Sequence, residues 1–253
     1  MTPRIRRRLQ DLGFGAIGVA VFAGAWELIG VNRLAGLTWP PLSTVLTYLA
    51  DPARHDLFLR AAAATFSKVG LGYLAGALAG VGLGAMAHVL LPLRPGVDRL
   101  ANVVNAIPAI ALAPILIVVF SREWTGMALA AVNVFFILYV ATTSGLEHST
   151  TSHRDLFRVI GASAWSRLWR LDLPAALPAI VSGVKFAVPA AFIGAILGEW
   201  FGASRGLGLL IVSAMQNFQI PLLWSAVLIA SFSSLLAFGF ASAIETFVYS
   251  RYR

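Results

Sequence analysis

Side chains able to carry chemistry are few in this chain. Of 253 residues, nineteen are Lys or Arg, eleven Asp or Glu, four His, and none Cys. The absence of cysteine removes disulfides, thiolate-bound zinc, iron–sulfur clusters and thiol nucleophiles together. Only two lysines occur, in Ser67-Lys68-Val69 and Val184-Lys185-Phe186. A phosphate-binding loop needs Gly-Lys-Ser/Thr, so that backbone amides cradle the phosphates while the Lys reaches them; neither lysine fits. His55, His88, His148 and His153 do not form a His-Glu-x-x-His zinc helix. Ser182-Gly183 lacks the Gly-x-Ser-x-Gly frame of a nucleophile elbow. The expectation is a chain that is not an enzyme and that binds no metal, nucleotide or other cofactor itself.

The remaining charges gain interest from their apolar surroundings. An ionisable group inside a membrane span is costly and so is a functional candidate, which singles out Glu27, Lys185 and Glu199. The chain is 58% hydrophobic and 12% charged, where soluble domains carry about 25% charged residues. A span needs about 20 mostly apolar residues, and six stretches qualify: 12–31, 69–93, 100–120, 126–146, 175–197 and 221–244. Each is continuous rather than a set of alternating ten-residue strands, so the fold class expected is all-α, a polytopic bundle of six transmembrane helices forming one domain over 1–253. The net charge of +8 is not gathered on a polar domain with exposed aromatics, and no nucleic-acid partner is expected.

Arg4-Ile5-Arg6-Arg7-Arg8 before the first apolar run resembles the start of a signal peptide. The run is too long and no small-residue cleavage site closes it, so it reads as an uncleaved span ending at Val31-Asn32-Arg33. Lys and Arg favour the cytoplasmic side. With both termini inside, twelve arginines fall on that side and Arg33, Arg54, Arg60, Arg122 and Arg205 on the other. Outside, Leu42, Val45, Leu46, Leu49 and then Leu57, Phe58, Ala61, Ala64 recur at helical spacing, predicting short helices lying along the membrane surface. Inside, residues 147–173 form a second long insertion.

That insertion has its own logic. Leu156, Phe157 and Ile160 make an apolar face flanked by Arg154, Asp155 and Arg158. Gly161 can take the positive φ that ends a helix. Ser163 is placed to cap a second helix, on which Trp165, Leu168 and Trp169 form one face and Arg167 and Arg170 another. Pro174 opens the next span, where its missing N–H is not needed. A helix–glycine–helix with exposed apolar side chains suits docking to a partner protein. It also suits an amphipathic hairpin lying on lipid head groups.

Asp155 to Pro178 resembles the EAA loop of ABC importer permeases, a pattern of roughly Glu-Ala-Ala-x-x-x-Gly, about nine residues, a hydrophobic residue, one more residue and Leu-Pro. Gly161-Ala162-Ser163-Ala164-Trp165 and Leu173-Pro174-Ala175-Ala176-Leu177-Pro178 carry the match. Ser182-Gly183-Val184-Lys185-Phe186, Gly198-Glu199-Trp200 and Gly206-Leu207-Gly208 extend it, as do Trp39-Pro40-Pro41-Leu42-Ser43-Thr44-Val45-Leu46 and Ile107-Pro108-Ala109-Ile110-Ala111-Leu112-Ala113-Pro114. Together these resemble the nitrate/sulfonate/taurine branch, over roughly residues 26–245. The resemblance implies a type I importer permease of the bacterial inner membrane. It implies as partners a second copy of the chain, two ATPase subunits that use ATP and Mg, and a periplasmic or lipoprotein substrate-binding protein. It implies as cargo a small anion such as nitrate, taurine or an alkanesulfonate, or alternatively a pyrimidine-type vitamin precursor. An ion-coupled carrier, the other transport reading, would call for intramembrane carboxylates or inverted repeats. The resemblance also makes Asp155, Leu156, Phe157, Arg158, Gly161, Ala162, Ser163, Trp165, Leu173 and Pro174 the ATPase-coupling loop. Asp155-Leu156-Phe157 departs from Glu-Ala-Ala and predicts a bulkier contact.

Candidates for the translocation path or its gate are Asn105, Pro108, Lys185 and Glu199. Each has a plainer alternative. Asn102, Asn105 and Asn133 suit helix–helix hydrogen bonds. Pro108, Pro114 and Pro189 interrupt spans, either to line a cavity or as packing kinks. Lys185 and Glu27 can reach interfacial water, and Glu199 can be an interfacial carboxylate. Gly72, Gly76, Gly80, Gly82 and Gly84 mark a close helix contact, within the bundle or across a dimer.

Overall fold

The computed structural model describes residues 3–149 and 151–251, with side chains described for 13–149 and 152–251. Arg4, Arg6, Arg7 and Arg8 therefore lie outside the described side chains. Among the described residues every regular element is helical. Five helices are long and apolar enough to cross a membrane: α1 (Pro3–Val31), α3 (Pro52–Val89), α6 (Arg122–Leu146), α9 (Leu173–Trp200) and α11 (Ile220–Arg251). A sixth crossing requires α4 (Arg94–Ala106) and α5 (Ala109–Phe120) to act as one bent pair.

That pair corrects the bounds of the third span expected over 100–120 and gives its interruption at Pro108 the form of a sharp bend. The two helices meet at 101°. Pro108 has no N–H to donate, and Ile107 before it is extended, at φ −79° and ψ 121°, as steric pressure from a following proline demands. Pro114 and Pro189, also expected to interrupt their spans, instead sit within continuous helices. In a packed bundle neighbouring groups take up the freed carbonyls.

A second correction concerns the outer segment. One short surface helix forms, α2 (Leu42–Ala50), but the second apolar stretch does not lie separately. Asp51 caps Ala53 N, Pro52 occupies the first turn, and no breaker follows, so α3 runs 38 residues without interruption. At 1.5 Å per residue it reaches about 57 Å, well beyond a hydrocarbon core of about 30 Å.

The core is α3, α6 and α9. Gly72, Gly76, Gly80 and Gly84 are buried on α3 and face α6; a Cβ on Gly80 would lie 2.6 Å from Phe135 O and 2.9 Å from Tyr139 N. Gly82 meets nothing within 4 Å and so leaves the stripe expected from sequence. Gly194 and Gly198 do the same for α9 against α6. Lipid tails are as apolar as leucine, so close packing of small residues rather than apolar burial joins these helices. Val69, Val134, Leu138, Ala187, Ala191 and Phe192 fill the centre.

α1 stands apart. Its side chains from 13 to 22 are exposed on every face. It is held at its C-terminal end, where Trp26 Nε1 donates to Pro40 O at 3.0 Å. Trp26, Trp39 and Trp224 pack with ring centroids 4.8 to 5.4 Å apart. Glu27 does not simply face water: it accepts from Ser43 N at 2.9 Å and Ser43 Oγ at 2.6 Å.

Candidate functional site

Most of the candidate residues lie at the two ends of α9. At its N-terminal end the insertion folds as α7 (Thr151–Val159) and α8 (Ala164–Arg167), then one π-helical turn, Leu168–Asp172, which leads directly into α9. Gly161 has φ +67°, with Gly161 N donating to Arg158 O and Ala162 N to Phe157 O. Ser163 caps α8 by accepting from Ser166 N at 3.2 Å. Leu173 and Pro174 open α9. Leu156, Val159, Ile160 and Trp165 are exposed, and Asp155 pairs with Arg158 at 3.4 Å on the same exposed helix. The loop thus presents an apolar ridge edged by a weak surface ion pair. The rings of Trp165 and Trp169 meet edge to face at 5.8 Å, and both border an apolar groove of about 620 Å³ against the end of α3.

Beneath this surface lies Asp172, fully buried. Its carboxylate accepts from His88 Nε2 at 2.9 Å, Ser149 Oγ at 2.8 Å and Arg167 Nε at 3.2 Å. Arg154 on α7 donates to Ser149 Oγ at 2.6 Å and to Leu146 O at 2.9 Å. Arg94 also reaches Glu147 here.

Further along α9, Lys185 donates to Glu245 Oε2 on α11 at 2.6 Å, and Ser182 Oγ to Glu245 Oε1 at 2.6 Å. Lys185 also lies 4.7 Å from the ring centre of Phe186. Lys185 is therefore paired across helices rather than reaching for water. Asn133 donates to Ala190 O at 3.2 Å, a helix–helix bond as expected. Asn102, Asn105 and Pro108 are exposed at the α4–α5 bend.

At the other end of α9, Glu199 is fully buried. It is held by Lys68 Nζ at 3.1 Å, Thr65 Oγ1 at 3.0 Å and the backbone N–H of Gly208 at 2.8 Å. Gly208 belongs to α10 (Leu207–Gln216), a short apolar helix that the sequence reading did not assign. Thr65 Oγ1 accepts from Leu207 N at 2.8 Å, and Lys68 donates to Arg205 O at 2.8 Å. Gly206, at φ +145°, passes so close to the Glu199 carboxyl that a Cβ there would collide with it. Asn105 and Pro108, Lys185, and Glu199 thus occupy three neighbourhoods and do not form one site.

Sequence reasoning missed Lys68, Glu245, Asp172, His88 and Thr65. One signal was available: in so apolar a chain each lysine requires an acidic partner, and both lysines have one. No local pattern points to Asp172.

Residues 68–253 match the family described as binding-protein-dependent transport system inner membrane component. The chain is 31% identical over 192 residues to the formylaminopyrimidine transport permease protein ThiX of Halalkalibacterium halodurans, covering 76% of this chain and 77% of that one. It is 26% identical over 234 residues to the putative aliphatic sulfonates transport permease protein SsuC of Bacillus subtilis, covering 91% and 84%. Among solved structures, a chain of the MetNI methionine ABC transporter in inward-facing conformations superposes with a TM-score of 0.70 at 17% identity, covering 78% of this chain and 99% of that one.

Proposed function

The chain belongs to the family of binding-protein-dependent transport system inner membrane components and is an ABC importer permease subunit, a transport subunit rather than an enzyme; on that premise we propose how it works. Two copies enclose one pathway across the bacterial inner membrane, with all termini cytoplasmic. Two ATPase subunits, carrying ATP and Mg, bind beneath residues 147–173, and a substrate-binding protein delivers cargo to the opposite face. The observation that carries this reading is the exposed apolar ridge of Leu156, Val159, Ile160 and Trp165, rigidly turned at Gly161 and mounted on the end of α9. Closure of the ATPases moves that ridge, and α9 with it.

Gly161→Pro forbids the positive φ, and Asp155→Arg reverses the charge beside the ridge. Each is expected to reduce binding-protein-stimulated ATP hydrolysis by the reconstituted complex at least about tenfold, about 1.4 kcal/mol of coupling free energy. Stimulation at the unaltered level in both variants would falsify the coupling role.

For the cargo, likeness to SsuC across most of the chain supports a small anion such as an alkanesulfonate, nitrate or taurine. A pyrimidine-type heterocycle has a specific observation in its favour. Both lysines are bound by glutamates, Lys68 by Glu199 and Lys185 by Glu245, so neither offers a free charge to an anion in transit. The higher identity to ThiX points the same way. Binding of formylaminopyrimidine, taurine and nitrate to the cognate binding protein, measured by calorimetry, decides between the classes.

A further inference from the structure

Asp172 contributes nothing to the exposed ridge, yet it is fully buried and bonded to three other segments. An apolar side chain would hold the packing at lower cost, because a buried carboxylate must recover its desolvation from its partners. We propose that Asp172 is a positioning residue: the joint through which displacement of the coupling loop reaches α3 and α9. The proposal rests on the permease reading above.

Four features carry it. Hydrogen bonds run without a gap from the coupling helix to the far helix: Arg154 on α7 to Ser149 at 2.6 Å, Ser149 to Asp172 at 2.8 Å, and His88 at the end of α3 to Asp172 at 2.9 Å. Every described partner of the carboxylate is a side chain, so the partners can exchange without breaking a backbone hydrogen bond. Asp172 also ends the π-helical turn Leu168–Asp172. Such a turn holds one residue more than an α-helical turn and can return that residue to the helix, shifting everything before it. Finally, the groove beside the turn, lined by Val81, Ala85, Val89, Trp165, Trp169 and Leu173, leaves space for the two exposed tryptophans to move without compressing the core. A close-packed surround would oppose that motion.

The test uses the assembled permease–ATPase complex in proteoliposomes, with ATP hydrolysis measured with and without ligand-loaded binding protein, and the ratio of the two taken as the readout. Asp172→Asn keeps the shape and removes the charge; it is expected to lower that ratio at least about fivefold while the ATPase subunits still co-purify. Asp172→Glu is expected to restore more than half of the loss. Ser149→Ala, which cuts the path but leaves Asp172 paired with Arg167 and His88, is expected to lower the ratio about twofold to threefold. A normal ratio in both Asp172→Asn and Ser149→Ala overturns the proposal. So does a loss in Asp172→Asn that the Glu variant fails to relieve, or one accompanied by loss of the bound ATPase, since either describes a merely structural carboxylate. An unaltered complex showing no stimulation at all would instead count against the permease reading.

Discussion

The ends of α9 each carry one fully buried carboxylate, Asp172 and Glu199, and α3 supplies partners to both. They are held in different ways. Glu199 is gripped by a lysine, by a threonine that also binds Leu207 N, and by the backbone N–H of Gly208; the adjoining glycine leaves no space for a side chain. Among its donors the Gly208 N–H is fixed by the backbone of α10, and Thr65 is fully buried. Asp172 has long or short side chains around it, two of them from the loop segments that it organises. One end is a weld and the other a joint. On the coupling role proposed above, a helix fixed at one end and articulated at the other would convert a push on the loop into a tilt about the fixed end.

The comparison breaks most readily at the weld. Glu199→Gln leaves the Lys68 charge, only 11% exposed along its side chain, without its carboxylate partner. Removing one partner of a buried pair costs about 3–5 kcal/mol, so the purified protein in nanodiscs is expected to melt about 10 °C lower. Adding Lys68→Met to that variant should recover much of the loss, since the stranded charge goes with it. A shift of less than about 2 °C for Glu199→Gln would mean that the outer end is not welded.

Lys185→Met tests the middle of α9. The pair with Glu245 keeps slight exposure on both sides, at 15% and 14% of side-chain area, so the stranded glutamate can draw on water and the expected loss is about 2 kcal/mol. The same melting measurement should place it between Glu199→Gln and the unaltered protein. A larger effect than at Glu199 would move the fixed point from the helix end to its centre.

The smallest expected effect, at Gly82, lies on α3, the strut common to both ends. Gly80→Ala drives a methyl group into the α6 backbone and is expected to cost about 1–3 kcal/mol. Gly82→Ala, one helical turn's fraction away, meets nothing and should stay within about 0.5 kcal/mol. Equal effects at the two positions would show that α3 does not bear on α6 through this stripe.

Much of this was legible because it is local. The spans follow from uninterrupted apolar runs, and the Gly161 turn, the Ser163 cap and the Pro174 start each follow from the conformational preference of one residue. The bend at Pro108 was half legible: proline ends a helix, but its 101° angle is set by what α5 packs against. The weld was invisible, since Lys68 and Thr65 stand more than 130 residues from Glu199 and no periodicity links them. Asp172 looked like one more charge in an amphipathic loop. The length of α3 was misread because polar residues near its start suggested surface, whereas helix propensity carries the backbone on until a breaker occurs, and none does.

The weak attachment of α1 bears on how the chain is made. Its side chains from 13 to 22 are exposed, and its hold comes from three tryptophans and a glutamate near residues 26–43 and 224. In chain order α1 precedes α2 and α11, the elements that hold it, so it is synthesised before them. Trp224 is made nearly two hundred residues later, so the clasp closes only when α11 arrives. α1 therefore completes its packing late, only when α11 reaches it.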